Sequence, residues 1–258
     1  MTTLPFADLP FADMLTIIED RSAALRAAAA EAGLDGRVPG CPDWTVDDLV
    51  THLGGVHRFW AAAVSAGPAA GPPGDDQLPG TAPSGDLLTW SAAATGELVR
   101  ALASAGPDQP CWTWWRSTAA PATSGAIARH QVQEAGVHAF DAQEAAGHPR
   151  PLPAAVAGDG IGEFVTVGMA ALGAWPHQGG TVALAPDDGA TWLVTLTPDG
   201  AAAVPAGPQD GSAGPDARIR GTGSDIVLAL YGRQARRGLT IEGDRDLATR
   251  LFTWATSE

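Results

Sequence analysis

Lysine is missing from this sequence altogether: its 15 basic residues are all arginine, set against 29 acidic ones, for a formal net charge of −14. No basic cluster exceeds the pair Arg236-Arg237. Such a chain repels polyanions and has no cationic footprint, so neither nucleic acid nor an anionic membrane surface is expected as a partner. Long apolar runs are missing too. None approaches the ~18 residues that a membrane span needs, and no basic residue precedes Arg21, so no span or export leader is expected. The chain reads as soluble and cytoplasmic, a monomer or small homo-oligomer. Cysteine is reduced to Cys41 and Cys111, too few and too far apart for a disulfide framework or a Cys-x-x-Cys site; a reducing compartment keeps them as thiols, and both read as structural. Internal repeats, Gly-x-Gly-x-x-Gly and Walker-type loops are absent, which leaves nucleotide binding without support.

What remains is enough for a core. Of 258 residues, 45% are hydrophobic and 17% charged, which suits one large domain or two smaller ones. The first half reads as helices joined by long loops. Apolar residues at spacings of three and four run from Met14 to Ala28, with Gly33 and Gly36 as stop signals. At Trp44-Thr45-Val46-Asp47-Asp48-Leu49 the spacing is that of a capping box with a hydrophobic staple, the clearest helix start in the chain. The Gly/Pro-rich stretch from Ala66 to Ser84 is a loop, and a third helix with Leu87, Trp90, Ala94, Leu98 and Leu102 on one side follows it. A second loop, Gly106 to Thr123, holds Trp112, Trp114 and Trp115, and Ser124 is expected to cap a fourth helix ending near Ala146. Four helices over residues 1–150 suggest a four-helix bundle.

Residues 151–258 read differently, as a small α+β domain. One helical stretch from Ala154 to Leu172 leads to short β-like runs at Thr181–Ala185, Thr191–Thr197 and Ala217–Arg220. A helix capped by Ser224, a strand at Leu239–Glu242 and a helix from Arg245 complete it.

Chemistry is concentrated on two of the helices. His52 lies beside the apolar face Leu49, Leu53, Val56 and Trp60, so it points towards the bundle core, whereas His57 is rotated by roughly 140° and faces elsewhere. On the fourth helix His130, Glu134, His138 and Asp141 recur at spacings of four, four and three and form one stripe. A solvated polar face is one reading of that stripe. The other is an inward-facing donor set, since the opposite face, Val132, Gly136, Ala139 and Gln143, is not apolar enough for a plain core face. If the stripe turns inward, Glu134 and His138 can share one cation with His52 as third ligand, and His130 is the rival. Two imidazoles, a carboxylate and an open position suit catalytic Zn²⁺, although Fe²⁺, Ni²⁺ and Mn²⁺ accept the same ligands. Asp141, one turn beyond His138, can instead cap the helix interior or orient a ligand as an acceptor.

These residues also carry a resemblance. The stretch from Val38 to Arg58, with Pro42-Asp43-Trp44-Thr45 and Thr51-His52-Leu53-Gly54-Gly55-Val56-His57-Arg58, is similar to the opening signature of the mycothiol-dependent maleylpyruvate isomerase family. Glu134-Ala135-Gly136-Val137-His138-Ala139-Phe140-Asp141-Ala142 resembles that family's Glu-x-x-x-His-x-x-Asp-Ala run, and Gly223 to Arg233 with Glu242-Gly243-Asp244 resembles its tail. One departure stands out: many relatives have Arg-Arg and then His-Glu here, where this chain has Arg129-His130-Gln131-Val132-Gln133-Glu134.

The resemblance implies an α+β protein made of a DinB-like four-helix bundle and a sterol-carrier-protein-like domain. It also implies a divalent metal, usually zinc, on His52, Glu134 and His138, with mycothiol as thiol cosubstrate and a small electrophile as its partner. Three functions follow: isomerisation of a cis-unsaturated keto acid of the maleylpyruvate type, thiol S-transfer that stops at a thioether, or metal or ligand binding without catalysis. An anionic substrate calls for bidentate Arg–carboxylate pairing, for which Arg233, Arg236 and Arg237 are the candidates, Arg233 and Arg237 foremost.

Overall fold

Helix starts in this chain are set by the side chains that satisfy the first orphan N–H groups. A computed structural model, which describes residues 9–78, 82–206, 214–233 and 238–256, shows this at three of the four long helices of the first unit. Helix α1 (Phe11–Ala32) follows Pro10 without a side-chain cap. Helix α2 (Val46–Ala66) opens on the full capping box, in which Thr45 accepts from the Asp48 N–H and the Asp48 carboxylate accepts from the Thr45 N–H at 2.9 Å. Helix α3 (Leu87–Ala105) is capped by Asp86, which accepts from the Thr89 N–H. Helix α4 (Ser124–Ala145) is capped by Thr123, not by Ser124 as the sequence suggested. Thr123 holds the extended backbone that a cap requires and its hydroxyl accepts from the Ala126 N–H. Ser124 is already helical, and its hydroxyl donates to the Gly106 carbonyl.

These four helices form a unit comprising Pro10–Arg116 and Ala120–Leu152. Part of its core gathers Leu25 and Ala29 of α1, Leu49 and Leu53 of α2, Trp90 of α3 and Ala142 of α4, all buried. The approach of α2 to α3 depends on Gly54, because a Cβ there would run into the Trp90 indole. Arg58, one turn further on, lies over the same ring at 5.0 Å from its centroid. Among the described residues no helix is long and apolar enough to cross a membrane.

The second unit comprises Pro153 onwards with Ser117–Ala119. The single helical stretch expected from Ala154 to Leu172 is two helices, α5 (Ala154–Thr166) and α6 (Gly168–Ala171), because Val167 leaves helical geometry at φ −110° and ψ −73°. Five strands follow, β1 (Gly180–Pro186), β2 (Trp192–Thr197), β3 (Gly200–Pro205), β4 (Ala217–Gly221) and β5 (Thr240–Gly243), in the sheet order β3-β2-β1-β4-β5. Pairing is antiparallel except between β1 and β4, which run parallel. Helix α7 (Gly223–Leu230) is capped by Thr222 rather than Ser224, and α8 (Arg245–Ala255) by Asp244. The fold class is therefore α+β, as expected.

Candidate metal centre

Helix α4 is buried along most of its length, with fourteen of its residues shielded, among them the polar Gln131, Gln133, His138 and Asp141. Its stripe therefore turns inward. His52 of α2 meets it: His52 Nε2 lies 3.0 Å from Glu134 Oε1, and His138 Nε2 lies 3.4 Å from the same oxygen. One donor atom from each of the three residues falls within 4.8 Å of the others. Adjacent ligand atoms of a tetrahedral ion with bonds of about 2.0–2.1 Å are separated by about 3.3 Å, so both imidazole–carboxylate spacings already match. Two neutral imidazoles and one carboxylate are the donor chemistry of a borderline divalent ion, and the residues present fit it.

The set is graded in depth. Side-chain exposure falls from 35% at His52 through 18% at Glu134 and 9% at His138 to 0% at Asp141. Asp141, one turn beyond His138, accepts the His138 Nδ1–H at 2.9 Å. That bond fixes which ring nitrogen is committed and aims Nε2 at Glu134. The Cys41 thiol donates to the same Asp141 oxygen at 4.0 Å across a hundred residues of sequence, a contact that no local spacing signals. Trp44 forms a wall, its ring 4.8 Å from that of His52 and 6.0 Å from that of His138.

Charge follows from this packing. Burial disfavours a charged His138, but Glu134 and Asp141 outweigh it and raise its pKa to about 9. Burial likewise opposes ionisation of Glu134; the charge on His138, the hydrogen bonds from His138 and His52, and the charge on His130 prevail, and its pKa sits well below the usual carboxylate range.

The other histidines are elsewhere. His130 packs among Trp60, Trp114 and Trp115 and is not one of the three grouped donors. His57 was expected to face away from the core, yet it is fully buried. Helix α2 packs on α3 as well as α4, so a rotation away from the His52 face leads into another buried layer. There Thr95 donates its hydroxyl to the Ser91 carbonyl at 3.0 Å and accepts from Arg26 at 3.1 Å. With its one proton committed, Thr95 can only accept from His57 Nδ1, 3.2 Å away. His57 Nε2 is then a bare acceptor, buried and without a hydrogen-bond partner among the described residues. Burial, opposed by Glu134 and assisted by Arg26, takes the His57 pKa down to about 3.

In the second unit Arg233 follows α7 and its guanidinium donates to the Tyr231 carbonyl, while Arg236 and Arg237 lie outside the described residues. Cys111 is buried, its thiol donating to the Gln109 carbonyl and its pKa raised by burial.

Comparison with known proteins adds to this geometry. The model of the mycothiol maleylpyruvate isomerase N-terminal domain matches residues 15–143. Two crystal structures of a mycothiol-dependent maleylpyruvate isomerase, one of them of a histidine-to-alanine mutant, align over 94% of this chain and 96% of theirs. The mutant aligns with a TM-score of 0.61 at 16% identity and the other structure with 0.59 at 14%. At that identity the likeness is one of fold. No curated protein matches the sequence.

Proposed function

Because the chain belongs to the mycothiol maleylpyruvate isomerase N-terminal domain family, we propose that it is a metal-dependent enzyme in which a low-molecular-weight thiol, mycothiol in the first instance, attacks an electrophilic carbon. The observation that carries this reading is the convergence of His52, Glu134 and His138 donors within 4.8 Å. A divalent ion held there, zinc on donor chemistry, supplies the charge that keeps a thiol ionised at neutral pH. The chain's own residues prepare for that. Asp141 holds the His138 ring in one orientation, and the Trp44 ring packs beside His52 and His138. Glu134 accepts from both imidazoles, so the carboxylate is positioned between the two rings before any ion arrives.

Isomerisation of a cis-unsaturated keto acid of the maleylpyruvate type is the reading of first choice. Sulfur adds to the double bond, the electron pair moves onto the carbonyl as an enolate, the single bond rotates, and expulsion of the thiol gives the trans isomer. Arg233 and Arg237 are proposed to pair with a substrate carboxylate. The zinc-loaded full chain, mixed with maleylpyruvate and mycothiol, is expected to form fumarylpyruvate with the thiol needed only in catalytic amount. A thioether accumulating in step with thiol consumption makes the protein an S-transferase instead. Metal bound stoichiometrically with no thiol-dependent turnover sinks the enzymatic reading and leaves a binding module.

A further inference from the structure

His130 is the fourth-helix residue that the donor set leaves out. It lies one turn before Glu134, about 6 Å along α4, and its charge acts on that carboxylate. Its ring is 5.3 Å from Trp115, 5.7 Å from Trp114 and 6.2 Å from Trp60, centroid to centroid. Trp115 and Trp60 are buried, at 0% and 4% exposure, whereas Trp114 is 41% exposed. A tryptophan so open to solvent is uncommon, and the loop that presents it is pinned at both ends. The Cys111 N–H donates to the Ala122 carbonyl at 3.0 Å, the Trp115 Nε1–H donates to the Pro121 carbonyl at 2.9 Å, and Arg116 donates to the Ala70 carbonyl. The indole is thus an ordered aromatic surface beside His130, which lies one turn before Glu134. A planar group landing on it incurs little of the ordering cost that a slack loop imposes.

We propose that Trp114, backed by His130 and Trp115, is the specificity-determining surface for the electrophile, and that the preferred substrate carries a planar aromatic body conjugated to its reactive carbon. This rests on the S-transfer form of the reading above, in which thiol and electrophile meet at His52, Glu134 and His138 and the thioether is the product. Stacking on Trp114, whose ring lies 5.7 Å from that of His130, places the aromatic body on the side of the donor set where His130 precedes Glu134 by one helical turn. The reaction balances without an oxidant. The thiol sulfur bonds to the β-carbon of an aryl enone, the C=C π bond breaks, its electron pair passes to the carbonyl oxygen, and the proton lost by the thiol returns to the α-carbon.

Two measurements on the full chain test this. In the first, benzalacetone is titrated by calorimetry into metal-free protein with no thiol present, for wild type, Trp114→Ala and Trp114→Phe. Saturable binding is expected in wild type, weaker by about tenfold in Trp114→Ala and largely restored in Trp114→Phe. In the second, the kcat/KM for benzalacetone over that for methyl vinyl ketone is measured with zinc and thiol; Trp114→Ala is expected to lower this ratio by about tenfold. Equal binding by wild type and Trp114→Ala overturns the proposal, as does an unchanged ratio. A rise in thiol KM shared by both electrophiles places the thiol on the indole and also overturns it. Trp114-dependent binding without thiol-dependent turnover of either ketone leaves the aromatic surface standing and refutes the S-transfer reading alone.

Discussion

Helix α2 carries two histidines five residues apart, and the bundle treats them in opposite ways. His52, 35% exposed, meets the Glu134 carboxylate of α4; His57, fully buried, meets the Thr95 hydroxyl of α3. The His52 layer gathers a carboxylate, a second imidazole and, behind it, a second carboxylate. The His57 layer offers a hydroxyl whose one proton already goes to the Ser91 carbonyl and which also accepts from Arg26. Burial alone therefore does not make a site. The deeper histidine is held neutral, and the shallower one belongs to the cluster with the chemistry of a metal centre, because of what the facing helix supplies. Changes on the two sides of α2 should accordingly fail to mimic one another.

The largest separation is expected from Glu134→Ala set beside His57→Leu. Removing the shared carboxylate should weaken Zn²⁺ binding by more than about 100-fold, beyond the range typical of outer-shell changes, while His57→Leu leaves metal stoichiometry and affinity at the wild-type level. A competitive chelator titration of both variants decides it. If Glu134→Ala keeps its zinc, the three-donor set is not the metal site; if His57→Leu loses zinc too, the two layers are one.

A smaller effect should follow from Asp141→Asn, which keeps the shape but gives up the charge that holds the His138 Nδ1–H. Loss of an orienting carboxylate of this kind lowers metal affinity by about 10–100-fold. The same titration is read against circular dichroism, which should be unchanged. An affinity indistinguishable from wild type would reduce Asp141 to a packing residue.

Legibility in the sequence divides along the same line. The Thr45/Asp48 box is visible because a capping box is local, and the pairing of Glu134 with His138 is visible because residues one turn apart share a face. The contact of Asp141 with the His138 ring was readable for the same reason. Contacts outside one helix were not: Cys41 meets Asp141 a hundred residues away, and His130 falls outside the donor set among Trp60 of α2 and the tryptophans of the loop ahead of α4. His57 was misjudged because periodicity reports one buried face, and α2 has two. In the second unit β3 went unread, since Gly200-Ala201-Ala202-Ala203 has little β-propensity and becomes a strand only by pairing with β2. The caps at Thr123 and Thr222 were displaced for a simpler reason, a second hydroxyl one or two residues on competing for the same role.

The finest test of the contrast is a pH dependence that only the His57 layer should show. In the unfolded chain His57 titrates near 6.5, but in the fold burial holds its pKa at about 3. Between those values the unfolded state takes up a proton that the folded state refuses, so this stabilising contribution is complete above pH 6.5 and is lost as pH falls towards 3. Replacing the ring by leucine removes the titration. Whatever the sign of the difference at pH 7, the stability of wild type relative to His57→Leu should drop by about 2 kcal/mol on going to pH 5. Urea denaturation of both proteins at the two pH values measures it. A difference that stays constant would mean that His57 is protonated inside the bundle, that its Nε2 has found an acceptor, and that the two layers of α2 are electrostatically alike.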